Sequence, residues 1–437
     1  MKHNHNSSEQ KSEKKLTNNK IQPVGTLYKN YVLFMLTVVY IFNFIDRQIL
    51  VILQESIKSD LGLSDTQLGL LSGLSFAIFY VLLGIPIARL ADRSNRRNII
   101  AASLVVWSSM TAFCGMAQNY AQLLLARIGV AVGEAGCSPP AHSIISDYFP
   151  THQRATALSI YSMGIYIGVL FGFSLGGWLD AQYGWRFAFI ALGIPGVLFA
   201  ILFYFTVKEP LRSISHNSKA NEQSFFHVLK LLFSKPSFLF LSLAVGLHAF
   251  SAYALGNWLP SFLERVHLMP REDIGLYAGF ILGTSGAIGT IVGGYLADRL
   301  GSKDSSWYIK VPAYSAILAI PFLLLYYFHS SVNIVLISLF VAYMLISTFL
   351  GPSIAITHSL VPPHMRAFSS AVLFLVLNLI GLGLGPLFVG IVSDYLEPTM
   401  GVLSIRWALA STLVVSLVAI GLFFKASKHL NKDLAAC

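Results

Sequence analysis

The sequence predicts an all-α polytopic membrane protein with twelve transmembrane helices in two pseudo-symmetric six-helix bundles. Of its 437 residues, 55% are hydrophobic and only 11% are charged, whereas a soluble domain carries about 25% charged residues. The apolar segments are about 20 residues long, the length of a helix that crosses a bilayer. Two loop motifs from the first half of the chain also recur in the second half.

The twelve apolar segments are continuous rather than alternating, which favours helices over a β-barrel. In chain order, we predict spans one to twelve at 31–53, 66–88, 98–118, 120–146, 155–179, 186–207, 236–263, 273–297, 308–328, 332–359, 367–393 and 404–424. The chain then divides into a polar tail (1–30), a first bundle (31–207), a central loop (208–235), a second bundle (236–424) and a short tail (425–437). Within the central loop, Phe225 to Phe233 are predicted to form a short amphipathic helix.

The positions of lysine and arginine predict the orientation, because cytoplasmic loops are enriched in both. With the N-terminus in the cytoplasm, 23 of the 30 lie on the cytoplasmic side and five on the outer side. Both termini, the central loop and the loops after spans two and eight are then cytoplasmic. The same asymmetry explains the net charge of +10 without a nucleic-acid partner. We therefore expect a plasma membrane protein, in a bacterium the inner membrane.

Cysteine and histidine patterns indicate neither a disulfide framework nor a metal site. The three cysteines are Cys114, Cys137 and Cys437, and two of them lie inside apolar segments. The twelve histidines are scattered, and no span carries two of them at ligand spacing. No phosphate-binding glycine loop or dinucleotide fingerprint occurs. We expect no metal and no cofactor.

Two motifs indicate an internal repeat. The sequence after span two, ARLADRSNRR, resembles GYLADRLGSK after span eight, which pairs Asp92 with Asp298 at an offset of 206 residues. The sequence PTHQRA after span four resembles PPHMRA after span ten, which pairs Arg154 with Arg366 at an offset of 212. The two offsets nearly agree, so the two bundles are duplicates. Transporter repeats of this kind hold the substrate at their interface, near the bilayer midplane.

The repeated loop resembles the Gly-x-x-x-Asp-Arg-x-Gly-x-Lys/Arg signature of the major facilitator superfamily, and the resemblance extends over the chain apart from its tails. The second copy matches at Gly294, Asp298, Arg299, Gly301 and Lys303, and the first copy keeps Asp92, Arg93 and Arg97 but has Ala88 and Asn95 at the glycine positions. The resemblance implies the major facilitator fold and transport by alternating access.

Two further segments are similar to the spinster branch of that superfamily. Span one contains Asn43-Phe-Ile-Asp46-Arg47, and span four contains Arg127-Ile-Gly-Val-Ala-Val-Gly-Glu134-Ala-Gly, which is followed by Asp-Tyr-Phe-Pro. Known spinster proteins move lysophospholipids and sphingoid phosphates. The Asn-x-x-Asp-Arg segment is shared with the anion:cation symporters, which carry sugar acids and other organic anions. The resemblance implies an anionic substrate.

Four ionisable residues lie in the body of predicted spans: Asp46, Arg47, Arg127 and Glu134. Each such residue costs roughly 2.5–3.5 kcal/mol at mid-span, so it marks a functional site unless it is only a structural ion pair. Arg127 and Glu134 share one helix face, as do Asn43 and Asp46. We predict that Asp46 and Glu134 exchange protons with the cavity. Arg47, Arg127 and Asn43 are predicted to bind the anion, since arginine offers a planar fork of donors.

The second bundle offers only neutral candidates. His248 and Tyr253 on span seven are predicted to line the substrate, although a single histidine on an apolar helix is more often a packing residue. A charged wall that faces a neutral aromatic wall suits a substrate with an ionic head and an apolar body.

The loops at the cytoplasmic membrane surface are predicted to form a gate. In the first copy, Asp92 is expected at the N-terminus of span eleven, where a carboxylate is favourable, and Arg93 and Arg97 are expected to reach Asp147. Asp298 and Arg299 are the corresponding residues of the second copy. The alternative is that this positive charge only sets the topology.

The sequence therefore predicts a secondary active, proton-coupled transporter of an amphipathic anion such as a lysophospholipid. The alternative is a proton-coupled symporter of a small organic anion such as a sugar acid, and a remote one is a non-transporting membrane sensor. An enzyme is not expected. The expected partners are the anion, protons and the lipid bilayer, and the expected assembly is a monomer.

Overall fold

The computed structural model describes residues 25–210, 225–362 and 365–435, apart from the side chains of a few residues within helices. Within these ranges the chain is helical and contains no strand. The α-helices are Thr26–Ile52, Gln54–Leu61, Asp65–Gly69, Ser75–Arg93, Arg96–Cys114, Tyr120–Glu134, Ser138–Tyr148, Thr151–Tyr183, Trp185–Thr206, Phe225–Phe233, Pro236–His267, Arg271–Gly301, Trp307–Phe328, Val332–Ile346, Leu350–Ser359, Arg366–Val376, Gly385–Met400 and Ser404–Ala435. Two π-helical segments, Leu70–Leu74 and Leu377–Leu384, and two 3₁₀ turns, Ser347–Phe349 and Gly401–Leu403, interrupt them.

Each of the twelve predicted spans overlaps one or more of these helical segments. Among the described residues, ten runs are long and apolar enough to cross a membrane. The difference from twelve has two causes. The run Phe368–Ala435 contains spans eleven and twelve, and span four is divided into Tyr120–Glu134 and Ser138–Tyr148. The predicted fold class is confirmed, as is the short helix Phe225–Phe233 in the central loop.

The interruptions of spans four and ten lie next to prolines. In span four, Pro139 and Pro140 occupy the first turn of the helix that restarts at Ser138. In span ten, a 3₁₀ turn precedes the helix that contains Pro352. Proline lacks the N–H that would continue the helical hydrogen bonds, so a bend is concentrated at these points.

Glycines allow close helix packing both within and between the bundles. On span five, Gly168 and Gly172 face span one, and a Cβ at Gly168 would lie only 2.6 Å from the Cβ of Phe44. On the neighbouring face, Gly177 packs against Gly275 of span eight in the other bundle. Gly168 and Gly172 thus serve packing within the first bundle, and Gly177 serves the contact between the bundles.

The two bundles meet along spans two and eleven and along spans five and eight. At the first contact, a Cβ at Gly73 would lie 2.8 Å from the carbonyl oxygen of Gly383, so the two π-helical segments touch through their main chains. At the second contact, the Tyr166 hydroxyl lies 2.6 Å from the Thr290 hydroxyl. Between these contacts and the predicted outer face, the bundles are joined by the ion pairs described below.

Candidate substrate and coupling site

Span one brings its charged side chains against span four. Arg47 Nε donates to Glu134 Oε2 over 2.6 Å. The Arg47 side chain is 17% exposed, whereas that of Glu134 is 0% exposed. The amide of Asn43 lies near the same carboxylate. Arg47 therefore covers Glu134, and it is the member of the pair that a solute can reach.

Aromatic rings surround the Arg47 guanidinium. Its central carbon lies 5.2 Å from the ring centroid of Phe44, 5.0 Å from that of Phe76 and 4.9 Å from that of Tyr80. Aromatic faces attract cations, and more strongly where water is excluded. This environment holds a positive charge within an apolar wall. An anion could approach Arg47 while its apolar body lies on the rings.

Asp46 and Arg127 form a second, deeper pair of groups. Asp46 is 1% exposed, and neither of its carboxylate oxygens forms a hydrogen bond with another described residue, although Thr111 lies near. Arg127 is 2% exposed, and its Nη1 donates to the main-chain carbonyl of Asp46 over 3.1 Å. Arg127 therefore connects span four to span one and is less exposed than Arg47, and its predicted role in binding the anion stays a prediction.

The second bundle faces Arg47 with tyrosines. Tyr253 of span seven is close enough to interact electrostatically with Arg47 and Tyr80. Tyr343 of span ten interacts in the same way with Tyr253 and Tyr166. The prediction for Tyr253 fits this position. Tyr80, Tyr166 and Tyr343 were not predicted, because single tyrosines in apolar helices have no distinguishing spacing.

His248 occupies the interior of the second bundle. Its Nε2 lies 2.9 Å from the carbonyl oxygen of Ile346, and its ring packs against Phe349 with centroids 4.7 Å apart. These contacts are those of a packing histidine, which is the alternative that the sequence left open. We do not include His248 in the candidate site.

The arginine that reaches Asp147 at the predicted cytoplasmic surface is Arg96, not the predicted Arg93 or Arg97. Arg96 Nη1 pairs with Asp147 over 2.6 Å, and Arg96 Nε pairs with Glu209 over 2.7 Å. Arg97 instead donates to the Asn98 side chain, and its guanidinium lies over Tyr204, while Arg93 is exposed. The reason is rotational: Arg96 begins the helix of span three on the face that packs on span four.

The remaining residues of the predicted gate are placed as follows. The side chain of Asp92 lies outside the described residues. Asp298 accepts a hydrogen bond of 2.7 Å from the Tyr308 hydroxyl, and Arg299 lies 3.4 Å from the Tyr295 hydroxyl. Both contacts stay within the second bundle, so they do not join the two halves.

A cluster of ion pairs that the sequence did not predict joins the bundles at the predicted outer face. Arg265 of span seven donates to both oxygens of Glu55, at 2.9 and 2.7 Å. It also donates to both oxygens of Asp65, at 2.6 and 2.7 Å, and Lys58 pairs with Asp65 over 2.7 Å. We call Glu55, Asp65 and Arg265 the outer clasp. Bidentate pairs of this kind are the strong class of charged hydrogen bond.

Two further contacts reinforce the outer clasp. Asp394 of span eleven accepts the main-chain N–H groups of Asp65 and Thr66, at 2.9 and 2.8 Å, where the first turn of span two lacks internal partners. Arg271 of span eight lies 3.4 Å from Asp180 of span five, and the Ser56 hydroxyl bonds to both of them. At the predicted outer face, the bundles are thus joined both at spans two and eleven and at spans five and eight.

No group of three or more histidine, cysteine, aspartate or glutamate side chains suited to a metal ion occurs among the described residues. The sequence profile of the Major Facilitator Superfamily matches residues 36–386. Over 404 residues, 92% of this chain and 93% of the relative, the sequence is 31% identical to an MFS-type efflux pump of Mycolicibacterium smegmatis.

Two other similarities bear on the substrate. A probable galactarate/D-glucarate transporter of Bacillus subtilis is 26% identical over 328 residues, which are 68% of this chain and 72% of the relative. A crystal structure of a bacterial homolog of the human lysosomal transporter Spinster, inward-facing and unoccupied, superposes with a TM-score of 0.85 at 33% identity. That superposition covers 94% of this chain and 99% of the other.

Proposed function

The chain belongs to the major facilitator superfamily of membrane transporters, and we propose that it moves an amphipathic anion, such as a lysophospholipid, by proton-coupled alternating access. It is an integral membrane protein related to spinster and sugar-acid transporters. The proposal adds the coupling ion, the class of substrate and a plasma membrane location with both termini in the cytoplasm.

The observation that carries the proposal is the ion pair between Arg47 and Glu134, in which aromatic rings surround the Arg47 guanidinium. Burial favours the uncharged form of a carboxyl group, and a neighbouring arginine favours the ionised form. Protonation of Glu134 would therefore release Arg47, and an anion on Arg47 would in turn release Glu134 to take up a proton. Asp46, buried nearby without a hydrogen-bond partner among the described residues, is the second carboxyl that can exchange a proton.

The amphipathic character of the substrate is inferred from the surroundings of Arg47. Phe44, Phe76 and Tyr80 present ring faces next to the one accessible cationic group of this cluster. A lipid with a charged head and an apolar chain would match both features. The superposition on a spinster homolog at 33% identity agrees with the spinster resemblance of spans one and four, and known spinster proteins move lipids of this kind.

A small organic anion such as a sugar acid is the second candidate. The hydroxyl groups of Tyr80 and Tyr253 near Arg47, and of Tyr343 next to Tyr253, could bind the hydroxyl groups of a sugar acid. The similarity to a probable galactarate/D-glucarate transporter favours this candidate. Competition between a lysophospholipid and galactarate for the purified protein would separate the two.

Two substitutions test the coupling. Glu134→Gln keeps size but removes the titrating proton, so binding should persist while uptake loses its dependence on a pH gradient. Arg47→Lys keeps the charge but loses the planar fork, so affinity should fall by roughly 10- to 150-fold, which corresponds to the loss of one charged hydrogen bond of about 1.5–3 kcal/mol. The measurements are substrate binding and uptake in proteoliposomes, with and without a pH gradient.

Arg186→Lys is the matched control, because Arg186 lies at the predicted outer surface on Asp60 and far along the chain from the site. It should behave like the parent in both assays. If Arg47→Lys binds as the parent does, and Glu134→Gln still follows the gradient, the pair is only structural and the proposed mechanism is wrong.

A further inference from the structure

Three uncharged polar side chains join the bundles between the candidate site and the outer clasp. Gln54 Nε2 donates to Asn257 Oδ1 over 2.9 Å, and the Ser72 hydroxyl donates to the same oxygen over 3.0 Å. Gln54 and Ser72 belong to the first bundle and Asn257 to the second. All three are buried. We call them the inner layer.

The inner layer lies directly outward of the residues around Arg47. Gln54 follows Arg47 by seven residues and begins the short helix after span one, and Asn257 follows Tyr253 by four residues on span seven. At 1.5 Å per residue these separations are about 10 Å and about 6 Å along the helix axes. Ser72 lies four residues outward of Phe76, whose ring packs on Arg47. The inner layer therefore covers the site on its outer side.

The outer clasp lies further out by a similar distance. Asp65 precedes Ser72 by seven residues, and Arg265 follows Asn257 by eight residues, which corresponds to about 10–12 Å along each helix. A solute that moves between Arg47 and the outer face must pass the inner layer and then the outer clasp. The two sets of contacts differ in chemistry, since one is neutral and the other is ionic.

We propose that Gln54, Ser72 and Asn257 form an inner gate that closes the substrate path from the outer face and separates when the protein opens to that side. This inference rests on the alternating access of the proposed function. It assigns three residues to the transport cycle that neither bind the anion nor exchange a proton.

The hydrogen bonding of the inner layer suits a contact that breaks in every cycle. Gln54 Oε1 is buried and has no hydrogen-bond partner among the described residues. A buried acceptor without a partner destabilises the closed state, and this acceptor can accept a hydrogen bond from water once the bundles separate. The Ser72 hydroxyl also lies 2.9 Å from the Leu68 carbonyl, so it keeps a partner within span two after separation. The closed layer is therefore held only weakly.

The main chain brings the layer together at the contact of spans two and eleven. Ser72 lies in the π-helical segment Leu70–Leu74, next to Gly73, which approaches Gly383. Behind Asn257, the buried Trp258 donates from Nε1 to the carbonyl oxygen of Pro386 over 2.9 Å. These contacts position Asn257 opposite Gln54 and Ser72.

Electron–electron double resonance between spin labels tests the gate directly. The labels would be placed at Ser59 and Glu397, which are exposed and lie at the predicted outer ends of the two bundles, in a background where Cys114, Cys137 and Cys437 are replaced by alanine. Without substrate, Asn257→Ala should raise the ratio of long to short distances by a factor of about 5 to 30, because it removes two hydrogen bonds and strands Gln54. Since the layer is neutral, this factor should be the same at low and high salt.

Ser251→Ala is the matched control. Its hydroxyl bonds only within the second bundle, to the Thr412 carbonyl at 3.2 Å and to Ser416 at 2.9 Å, so the distances should not change. The double variant Gln54→Leu with Asn257→Leu should return the ratio towards that of the parent, because two apolar partners can replace a buried hydrogen-bonded pair. A ratio restored in this double variant would also show that a chain with a substitution at Asn257 still folds.

The gate is refuted if Asn257→Ala keeps the parent's distances, or if Ser251→Ala changes them as much. Because the distances are measured without substrate, the absence of lysophospholipid or sugar-acid uptake would count against the proposed function and leave this result intact. Conversely, proton-coupled uptake by a protein whose distances do not respond to Asn257→Ala would refute the inner gate alone.

Discussion

At the scale of single residues, burial separates the roles of the two intramembrane arginines. Arg47 is partly exposed and lies between Glu134 and three aromatic rings, whereas Arg127 is buried and bonds to the main chain of span one. A guanidinium that already binds a main-chain carbonyl has fewer donors left for a solute. The accessible charge of the cluster is therefore that of Arg47.

Because Arg127 is buried, we expect its substitution to change mainly the stability of the protein, whereas substitution of Arg47 should change mainly substrate affinity. Arg127→Lys should lower the free energy of unfolding by about 1.5–3 kcal/mol, the value of a hydrogen bond from a charged donor. Substrate affinity should change by less than it does in Arg47→Lys. Thermal unfolding of the purified protein and binding titrations would measure the two effects. A larger loss of affinity in Arg127→Lys than in Arg47→Lys would reverse the assignment.

At the scale of helices, close contact depends on the glycines of span five. A Cβ at Gly168 would lie 2.6 Å from the Phe44 Cβ and 2.7 Å from the Ile41 carbonyl oxygen. Neither neighbour can move without moving span one, and span one carries Asp46 and Arg47. The packing of spans one and five is thus coupled to the geometry of the candidate site.

Gly168→Ala should therefore destabilise the protein by about 1–3 kcal/mol, which is typical of overpacking in a tight interior. It should also weaken substrate binding, because span one would be displaced from span four. Gly421→Ala on span twelve is the control, since nothing lies within 4 Å of the added methyl group. Thermal unfolding and binding assays of both variants would measure this. Equal stability of the two variants would contradict the packing argument.

At the scale of the whole molecule, the two bundles are joined at the predicted outer face. The outer clasp links Glu55 and Asp65 of the first bundle to Arg265 of the second, and Asp394 accepts the first N–H groups of span two. The ion pairs of Arg96 at the opposite face join span three to Asp147 of span four and to Glu209, which directly follows span six, and neither pair reaches the second bundle. An alternating-access protein must break the outer clasp to open outward.

Asp65→Asn should weaken that closure in a salt-dependent manner. The substitution keeps the shape but removes the charge that Arg265 and Lys58 share. Distances between labels at Ser59 and Glu397 should shift towards longer values. Salt screens the remaining ion pairs, so raising the ionic strength should move the parent in the same direction as the variant. If Asp65→Asn keeps the parent's distance distribution at every salt concentration, the outer clasp does not control opening.

The predicted orientation is tested by labelling in sealed cells. A cysteine introduced in place of Lys15 should be protected from a membrane-impermeant thiol reagent, because 23 of the 30 lysines and arginines predict a cytoplasmic N-terminus. A cysteine at Asp60 should be labelled in the same cells. Labelling at Lys15 with protection at Asp60 would invert the topology and, with it, the outer and inner faces named above.

The sequence by itself determined the twelve spans and the short helix Phe225–Phe233, because these depend on the local length and pattern of apolar segments. It also located the four charges inside the membrane. Only the tertiary structure decided which side chains meet: Arg47 with Glu134, Arg96 with Asp147, and Asn257 with Gln54 from the other bundle. Such pairs depend on how each helix is rotated about its axis and on where the bundles touch. That geometry is set by packing between residues 200 or more positions apart, as in the bond from Arg265 to Asp65, and not by the residues next to them in the chain.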